Sequence, residues 1–401
     1  MLPWNASPDD TLFSLLDATV TGARIRFELP HRAVDIGRAR GADGQPDLIV
    51  RVTDPEFSRR ILTSGNLGMG ESYMDEGWTM TRGTLEDLLT TLALAKVDEK
   101  LLEHPQVLLR TAAMRIEHRF RSNRDKIHQH YDIGEDLYRI FLDETLAYTC
   151  PYEKSPDETL QQIQENKFDR VCQKLQLKPG DRLLDIGCGF GGLMIYAAQH
   201  YGVKAHGVTL SSSQMEGGQK RVRALGLEDR VSFELLDYRH ARGTYDKVVS
   251  VGMAEHLYES QHAEYFQKIR ELLNEDGIGL VHTMACITDR NVNDPFTQRY
   301  YFPGSTHPRL SSLVAQLERQ KMAVLDVENI GAHYVSATTK WLANFRAGRD
   351  RIDTTKYDAR FLRSFEYFLC LYVAGSAGRV AAVFQVLFTR NYHRNLLKIR
   401  V

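Results

Sequence analysis

Leu183-Leu184-Asp185-Ile186-Gly187-Cys188-Gly189-Phe190-Gly191-Gly192 joins an apolar strand to an acidic residue, a glycine-rich turn and the start of an apolar helix. Glycines belong where a backbone turns sharply off a strand and lies against a ligand, because a side chain would block the approach. The stretch is therefore expected to hold a nucleotide cofactor. Two functional readings of the spacing stand beside a purely structural glycine turn. Gly187, Gly189 and Gly192 satisfy the dinucleotide pattern G-x-G-x-x-G, which requires an acidic residue about 20 positions later for the ribose hydroxyls. The next strand ends instead at Gly207-Val208-Thr209, followed by Leu210-Ser211. The acidic residue that the chain does supply, Asp185, stands just ahead of the first glycine.

Bulk properties agree with an enzyme without choosing one. A chain of 401 residues holds two or three domains' worth of core. A formal net charge of −1 gives no global attraction to nucleic acid or anionic lipid, so any such attraction must be local. The five cysteines, Cys150, Cys172, Cys188, Cys286 and Cys370, are widely spaced and lack a CxxC pair. That pattern predicts reduced thiols in a cytosolic protein, with neither a disulfide framework nor a metal site. The start, Met1-Leu-Pro-Trp-Asn, has no basic region followed by an apolar core, and no run of about 20 apolar residues occurs. A protein that is neither secreted nor membrane-spanning is expected.

Three regions emerge along the chain. Residues 1–105 read as a small α/β domain: Ala23–Leu29 and Asp47–Val52 alternate like half-buried strands, while Pro55–Thr63 and Leu85–Ala95 have helical spacing. Between them Gly65–Trp78, dense in glycines, acids and aromatics, is expected to be a tight structural turn. Residues 106–126 read as a helical linker with Arg110, Arg115, Arg119, Arg121, Arg124 and Lys126 set against Glu117 and Asp125. Such a helix suits an anionic bilayer or a solvated position between domains. Residues 127–401 alternate helices with strands, the strands being expected at 182–186, 203–208, 231–236, 246–251, 278–284, 322–328 and 381–388. This is the pattern of a doubly wound, Rossmann-like α/β sheet with its ligand at the carboxyl ends of the strands. A long insertion at 286–320 is a candidate for building the substrate site.

The glycine-rich segment, with Asp185 ahead of it, resembles the class I methyltransferases, which bind S-adenosylmethionine there. More segments narrow the resemblance. Ile127-His-Gln-His130-Tyr131-Asp132, Ala147-Tyr148-Thr149-Cys150, Gly207-Val208-Thr209-Leu210-Ser211 with Gln214, and Leu236-Asp237-Tyr238-Arg239 form one series. Ser250–His256, Leu280-Val281-His282-Thr283, Tyr301-Phe302-Pro303-Gly304, Gly331-Ala332-His333-Tyr334 and Phe384-Gln385-Val386 form another. Together these closely resemble cyclopropane-fatty-acid synthases, and Gly68–Met74 resembles the lipid-handling N-terminal domain of the longer bacterial members.

The resemblance implies transfer of a methyl group from S-adenosylmethionine to the cis double bond of an unsaturated phospholipid acyl chain. A base must then remove a proton from the resulting carbocation. The resemblance implies that this base is bicarbonate held by residues matching Cys150, Glu255, His282 and Tyr334, with the backbone at Met284 contributing. It likewise implies cofactor contacts at Tyr148 and Thr149 (methionine part), Asp185, Gly187, Gly189 and Gly191 (turn), Thr209 and Gln214 (ribose), and Asp237 and Tyr238 (adenine). Chemically, a buried anion needs donors such as His and Tyr, and the surroundings should exclude water, which would trap the cation as an alcohol. Each residue also has a bland role: Cys150 as a small buried thiol, Glu255 and His282 as a structural hydrogen bond, Tyr334 as a core aromatic. A homodimer working in the cytoplasm at the inner membrane face, without nucleic acid, is the assembly the resemblance suggests.

Departures bear on the product. Some members have a glutamate nine residues before the equivalent of Tyr334, where this chain has Leu325, with Asp326 and Glu328 nearby. A cysteine of some synthases falls on Tyr372. Neither touches the implied bicarbonate ligands. Proton loss from the new methyl closes a ring, whereas loss from a neighbouring carbon gives a methylene or methyl-branched chain, the alternative product. An amine N-methyltransferase and a non-catalytic lipid-binding protein are more distant readings; Glu71-Ser-Tyr73 speaks against the first and the intact cofactor residues against the second.

Overall fold

The computed structural model describes residues 7–37, 45–97, 133–286, 294–378 and 382–393. The basic linker 106–126 and His130-Tyr131-Asp132 lie outside the described residues. The chain divides into two compact units. One gathers Met1–Arg121, Asp294–Tyr301 and Asp350–Val380; the other gathers Ser122–Asn293, Phe302–Arg349 and Ala381–Val401.

In the first unit a four-stranded sheet runs in the order β2-β1-β3-β4, with β1 Ile25–Glu28, β2 Ala33–Ile36, β3 Leu48–Val52 and β4 Trp78–Arg82. Ile25 and Phe27 turn inward from β1 while Arg26 faces out to pair with Asp35 across the strand pair. An aromatic chain forms the core: Phe27 meets Phe57 at 6.2 Å, Phe57 meets Trp78 at 6.4 Å, and Trp78 meets Tyr73 at 5.0 Å. Buried Trp78 also spends its indole N–H on the Met69 carbonyl at 3.0 Å.

The Gly65–Trp78 stretch is mainly a helix, Asn66–Met74, and not the turn that its composition suggests. Its glycines serve close packing. A Cβ on Gly68 would stand 2.1 Å from the Arg60 carbonyl oxygen, and one on Gly70 would stand 2.4 Å from the Phe296 ring and 2.8 Å from Tyr367. Phe296 lies in the short helix Pro295–Tyr300 and Tyr367 in the helix Ala359–Ala377, so two distant pieces of sequence complete this unit. The first belongs to the 286–320 insertion, whose other described helix, Leu310–Arg319, belongs to the second unit.

In the second unit a seven-stranded sheet has the order β10-β11-β9-β8-β5-β6-β7. Its strands are β5 Arg182–Ile186, β6 Lys204–Thr209, β7 Val231–Leu235, β8 Tyr245–Val251, β9 Leu273–Ala285, β10 Ala323–Asn329 and β11 Ala382–Thr389. β7, β6, β5, β8 and β9 are parallel; β11 enters antiparallel between β9 and β10. This is the expected doubly wound α/β sheet, and its order reverses at β5, where such folds open a crevice for a ligand. Leu183 and Leu184 on β5, each fully buried, point into the two separate apolar layers that cover the sheet faces. β9 begins earlier than the expected residue 278: Leu273 pairs with Tyr245, followed by a register shift before Lys247.

Candidate active site

The helix Leu160–Lys174 opens with a capping box in which Thr159 and Gln162 satisfy each other's backbone N–H groups. Its buried face places two polar side chains under the Ala147–Cys150 segment. Gln164 Nε2 donates to the carbonyls of Ala147 at 3.3 Å and Thr149 at 2.9 Å. Lys167 Nζ donates to Thr149 Oγ1 at 2.7 Å. Neither residue was an expected site residue, yet the sequence carries the signal: Lys167 falls four residues after Ile163 and four before Val171, inside the apolar stripe.

Above this floor the glycine turn leaves β5. Gly187 N–H and Cys188 N–H both donate to the Val208 carbonyl on β6, at 2.9 and 3.1 Å. Gly187, Gly189 and Gly191 all have positive φ, which other residues adopt at a cost. At Gly189 the nearest atom to an added Cβ is Gln214 Oε1, 4.0 Å away, so the turn leaves open space there.

That space belongs to a cavity in the second unit, walled at the switch point by Tyr148, Thr149, Lys167, Asp185, Gly187 and Gly189. Its far wall includes Thr209, Gln214, Asp237, Tyr238 and His256. The expected cofactor residues thus share one cavity, with the exception of Gly191. A Cβ there would stand 2.4 Å from Phe233, so this glycine serves packing of the turn and does not line the cavity.

The charges in the wall are few. Asp185 is 3% exposed, one carboxylate oxygen has no hydrogen-bond partner, and burial pushes its carboxyl up to about 7. Burial pulls Lys167 down to about 7, against the nearby carboxyl groups of Asp143 and Asp185. Asp237 is already committed to Arg239, which donates to it from Nε at 2.9 Å and from its backbone N–H at 3.0 Å. Although burial opposes it, this pairing holds Asp237 below the ordinary carboxylate value. Tyr148 packs edge-on against Tyr138 and Phe141 and lies 4.8 Å from Trp341.

The four residues implied to hold the base stand outside this wall, on neighbouring pieces. Glu255 follows β8 and His282 lies on β9 paired with Val251. Gly252 joins them: its N–H donates to the His282 carbonyl at 2.9 Å, and its missing Cβ leaves 3.8 Å to Glu255 Oε1 and 2.7 Å to the Thr149 methyl. Burial pushes Glu255 up to about 7, while the Thr283 hydroxyl, 2.6 Å away, and the Met284 N–H hydrogen-bond its carboxylate and pull the other way. Burial holds His282 neutral, and its Nδ1 lies 3.5 Å from Gln385 Nε2. Cys150 keeps its proton in a buried position, with Sγ 3.5 Å from the Ile330 carbonyl oxygen. Tyr334 begins the helix that carries Trp341 and packs edge-on to it at 5.8 Å. Among the described residues no group of three or more His, Cys, Asp or Glu could hold a metal.

A glycine turn at the switch point of a doubly wound sheet, an acid at the end of β5 and a cavity beneath them define a class I, S-adenosylmethionine-dependent methyltransferase. The mycolic acid cyclopropane synthetase family matches residues 118–386. The cyclopropane-fatty-acyl-phospholipid synthase of Escherichia coli (strain K12) is 36% identical over 377 residues, covering 93% of this chain and 94% of that one. Two solved structures are also similar. The cyclopropane synthase MmaA2 from Mycobacterium tuberculosis has a TM-score of 0.63 at 25% identity, covering 67% of this chain and 99% of its own. The mycolic acid cyclopropane synthase CmaA1, complexed with SAH and CTAB, has a TM-score of 0.59 at 28% identity with the same coverage. The chain belongs to the mycolic acid cyclopropane synthetase family and is a methyltransferase of the cyclopropane-fatty-acyl-phospholipid synthase type.

Proposed function

We propose that this protein methylates the cis double bond of unsaturated acyl chains in membrane phospholipids and closes a cyclopropane ring. The observation that carries the reading is the strand-end pair Glu255 and His282, joined through Gly252 beside the cofactor cavity. In the reaction the sulfonium C–S bond breaks as a C–C bond forms to the alkene, and the cation closes the ring as one proton leaves the new methyl. Bicarbonate, when bound, would supply the base that takes this proton.

The residues present fit such an anion. A His282 whose Nδ1 accepts from Gln385 carries its hydrogen on Nε2 and is a donor, and Cys150 stays a thiol whose one hydrogen, directed at the Ile330 carbonyl, would have to turn to the anion. Tyr334 adds a phenol. Glu255, with a carboxyl poised at about 7, can take a proton onward and hand it to water between turnovers. The backbone N–H of Met284, expected to touch the anion itself, orients the Glu255 carboxylate. We assign acyl-chain handling to the first unit, which carries the Asn66–Met74 helix, and peripheral attachment at the inner membrane face and a homodimer belong to the same reading. Sedimentation of the purified protein as a monomer would remove the dimer.

Mass spectrometry of lipids from a host expressing the chain tests the reaction. A gain of about 14 daltons on monounsaturated chains that resists hydrogenation means a ring. A gain that takes up hydrogen means the methylene alternative, a saturated branched chain means reduction after methylation, and unchanged lipids from a host making folded protein would exclude acyl chains as substrate.

A further inference from the structure

Cys150 and Tyr334, two of the donors for the base, stand on separate segments of the second unit, and hydrogen bonds join those segments like rungs. Cys150 Sγ reaches the Ile330 carbonyl oxygen at 3.5 Å. Three residues further along both segments, the Glu153 N–H donates to Nδ1 of His333 at 3.2 Å. Three further along the second, the Ser336 hydroxyl donates to Glu153 Oε1 at 2.6 Å, and Lys340 Nζ donates to Ser336 Oγ at 3.2 Å. His333 closes the one-turn helix Gly331–His333 through its own N–H to the Ile330 carbonyl at 3.0 Å, and the helix Tyr334–Ala347 opens directly after it. What holds the imidazole therefore holds the start of the helix that carries the phenol.

The ring is also packed. Its centroid lies 4.4 Å from that of Tyr152, and the Arg170 guanidinium lies 4.5 Å from the same Tyr152 centroid. Arg170 donates in turn to both carboxylate oxygens of Glu328 on β10, at 2.6 and 2.8 Å. An imidazole that accepts at Nδ1 is neutral and carries its hydrogen on Nε2. Burial and the Arg170 charge favour that form, holding His333 below the ordinary imidazole value of 6.5, against the carboxyl groups of Glu153 and Glu328. An imidazolium has no acceptor left, so acid turns the Glu153 contact from a hydrogen bond into two facing N–H groups.

The rung at Cys150 cannot last through the proposed reaction. Its one hydrogen has to leave the Ile330 carbonyl to meet the anion, which leaves the His333 rung and the Ser336 contact to keep the two segments in register. We infer that neutral His333 is a positioning residue, which holds the Tyr334 segment at its distance from Cys150 and so keeps both donors in reach of one anion. The inference rests on the proposed roles of those two donors around the base.

Two readouts test it. One is the rise in melting temperature that bicarbonate causes in the full chain bound to S-adenosylhomocysteine, at constant ionic strength; the other is the bicarbonate concentration that gives half-maximal turnover on detergent-dispersed lipid. His333→Phe keeps a ring against Tyr152 without the acceptor, and His333→Asn keeps an acceptor that does not titrate. Well above the ordinary imidazole value, His333→Phe should need roughly 3- to 10-fold more bicarbonate by both readouts, the range of one hydrogen bond, with its S-adenosylhomocysteine affinity unchanged. His333→Asn should recover most of that loss. Below that value, with bicarbonate concentration held equal, the natural protein should fall towards the phenylalanine variant while the asparagine variant does not. Titration of Glu255 or of bicarbonate cannot produce this difference, because all three chains share it. A phenylalanine variant with the natural response to bicarbonate overturns the inference, as does an asparagine variant that follows the natural protein down in acid; the second comparison carries the test should the phenylalanine variant fail to fold. Loss of S-adenosylhomocysteine affinity alongside the bicarbonate response in both variants also overturns it, assigning His333 to packing alone. A natural protein that neither gains stability from bicarbonate nor needs it for turnover overturns the base reading itself, and the positioning role with it, before any variant is made.

Discussion

In the proposed reaction Glu255 has to be ionised to take a proton, and its burial makes ionisation difficult. Turnover should therefore rise with pH through about 7, as this carboxyl loses its proton. Stability should move the other way. A carboxyl raised in the fold contributes stability that is fully present below the ordinary value of 4.5 and lost as pH climbs through about 7. Glu255→Gln removes that loss, so thermal or denaturant unfolding should show the variant gaining on the natural protein between those two pH values, by on the order of 3 kcal/mol, and no further above. Its turnover should collapse while S-adenosylhomocysteine still binds. Near-natural turnover with bicarbonate controlled would show that Glu255 is not essential. Gly189 makes the complementary case for the cofactor. Valine there would meet positive φ and project into open cavity space, so cofactor affinity should fall at least tenfold in a chain that still folds, as titration calorimetry would read. Unchanged affinity would dissociate the turn from the cofactor. Gly189 was legible in the sequence because acid, strand end and glycine turn stand within ten positions of each other, whereas Glu255 came only from the resemblance to cyclopropane-fatty-acid synthases. Lys167 was harder to see because its significance depends on which way a helix faces.

At the scale of elements, β5 and β6 were readable because each leads through a short turn into a helix, a local signal, whereas β7 Val231–Leu235 passes to β8 with only the short turn Tyr238–His240 between them. The position of β11 was not readable, since pairing between β9 and β10 is a long-range choice that alternation does not encode. The Asn66–Met74 helix was misread for a physical reason. Glycine disfavours a helix by about 1 kcal/mol, and the packing that outweighs it comes from Phe296 and Tyr367, more than two hundred positions away. Gly70→Ala gives this a sharp test. Helix propensity alone would make it stabilising by about 1 kcal/mol, whereas contact with Phe296 at 2.4 Å should make it destabilising by roughly 1–3 kcal/mol. Gly22→Ala, where no atom lies within 4 Å of the added carbon, is the control in the same unit. A Gly70→Ala chain that melts at or above the natural temperature would mean the ring contacts relax freely and the close packing decides nothing.

At the scale of the molecule, a linear division at residues 105 and 126 follows composition, but folding gathers segments regardless of order. The first unit draws in Asp294–Tyr301 and Asp350–Val380, which sequence proximity assigns to the methyltransferase half. How the whole protein would reach its substrate is also a question of scale, because a double bond inside a bilayer does not diffuse through water. Among the described residues no helix is long and apolar enough to cross a membrane, and the net charge of −1 offers no general attraction to an anionic surface. Local charge is what the chain has: Arg110, Arg115, Arg119, Arg121, Arg124 and Lys126 within 17 positions, against Glu117 and Asp125. Each basic residue near an anionic bilayer contributes about 1 kcal/mol. Reversing Arg115, Arg119 and Arg121 to glutamate should therefore weaken binding to anionic vesicles by several kcal/mol at low salt and by less at high salt, where screening shortens the reach of each charge. Turnover on detergent-dispersed lipid should change much less, which separates docking from chemistry. If sedimentation with vesicles shows equal binding for a folded triple variant, the basic segment is not the docking surface, and attachment must come from elsewhere in the chain.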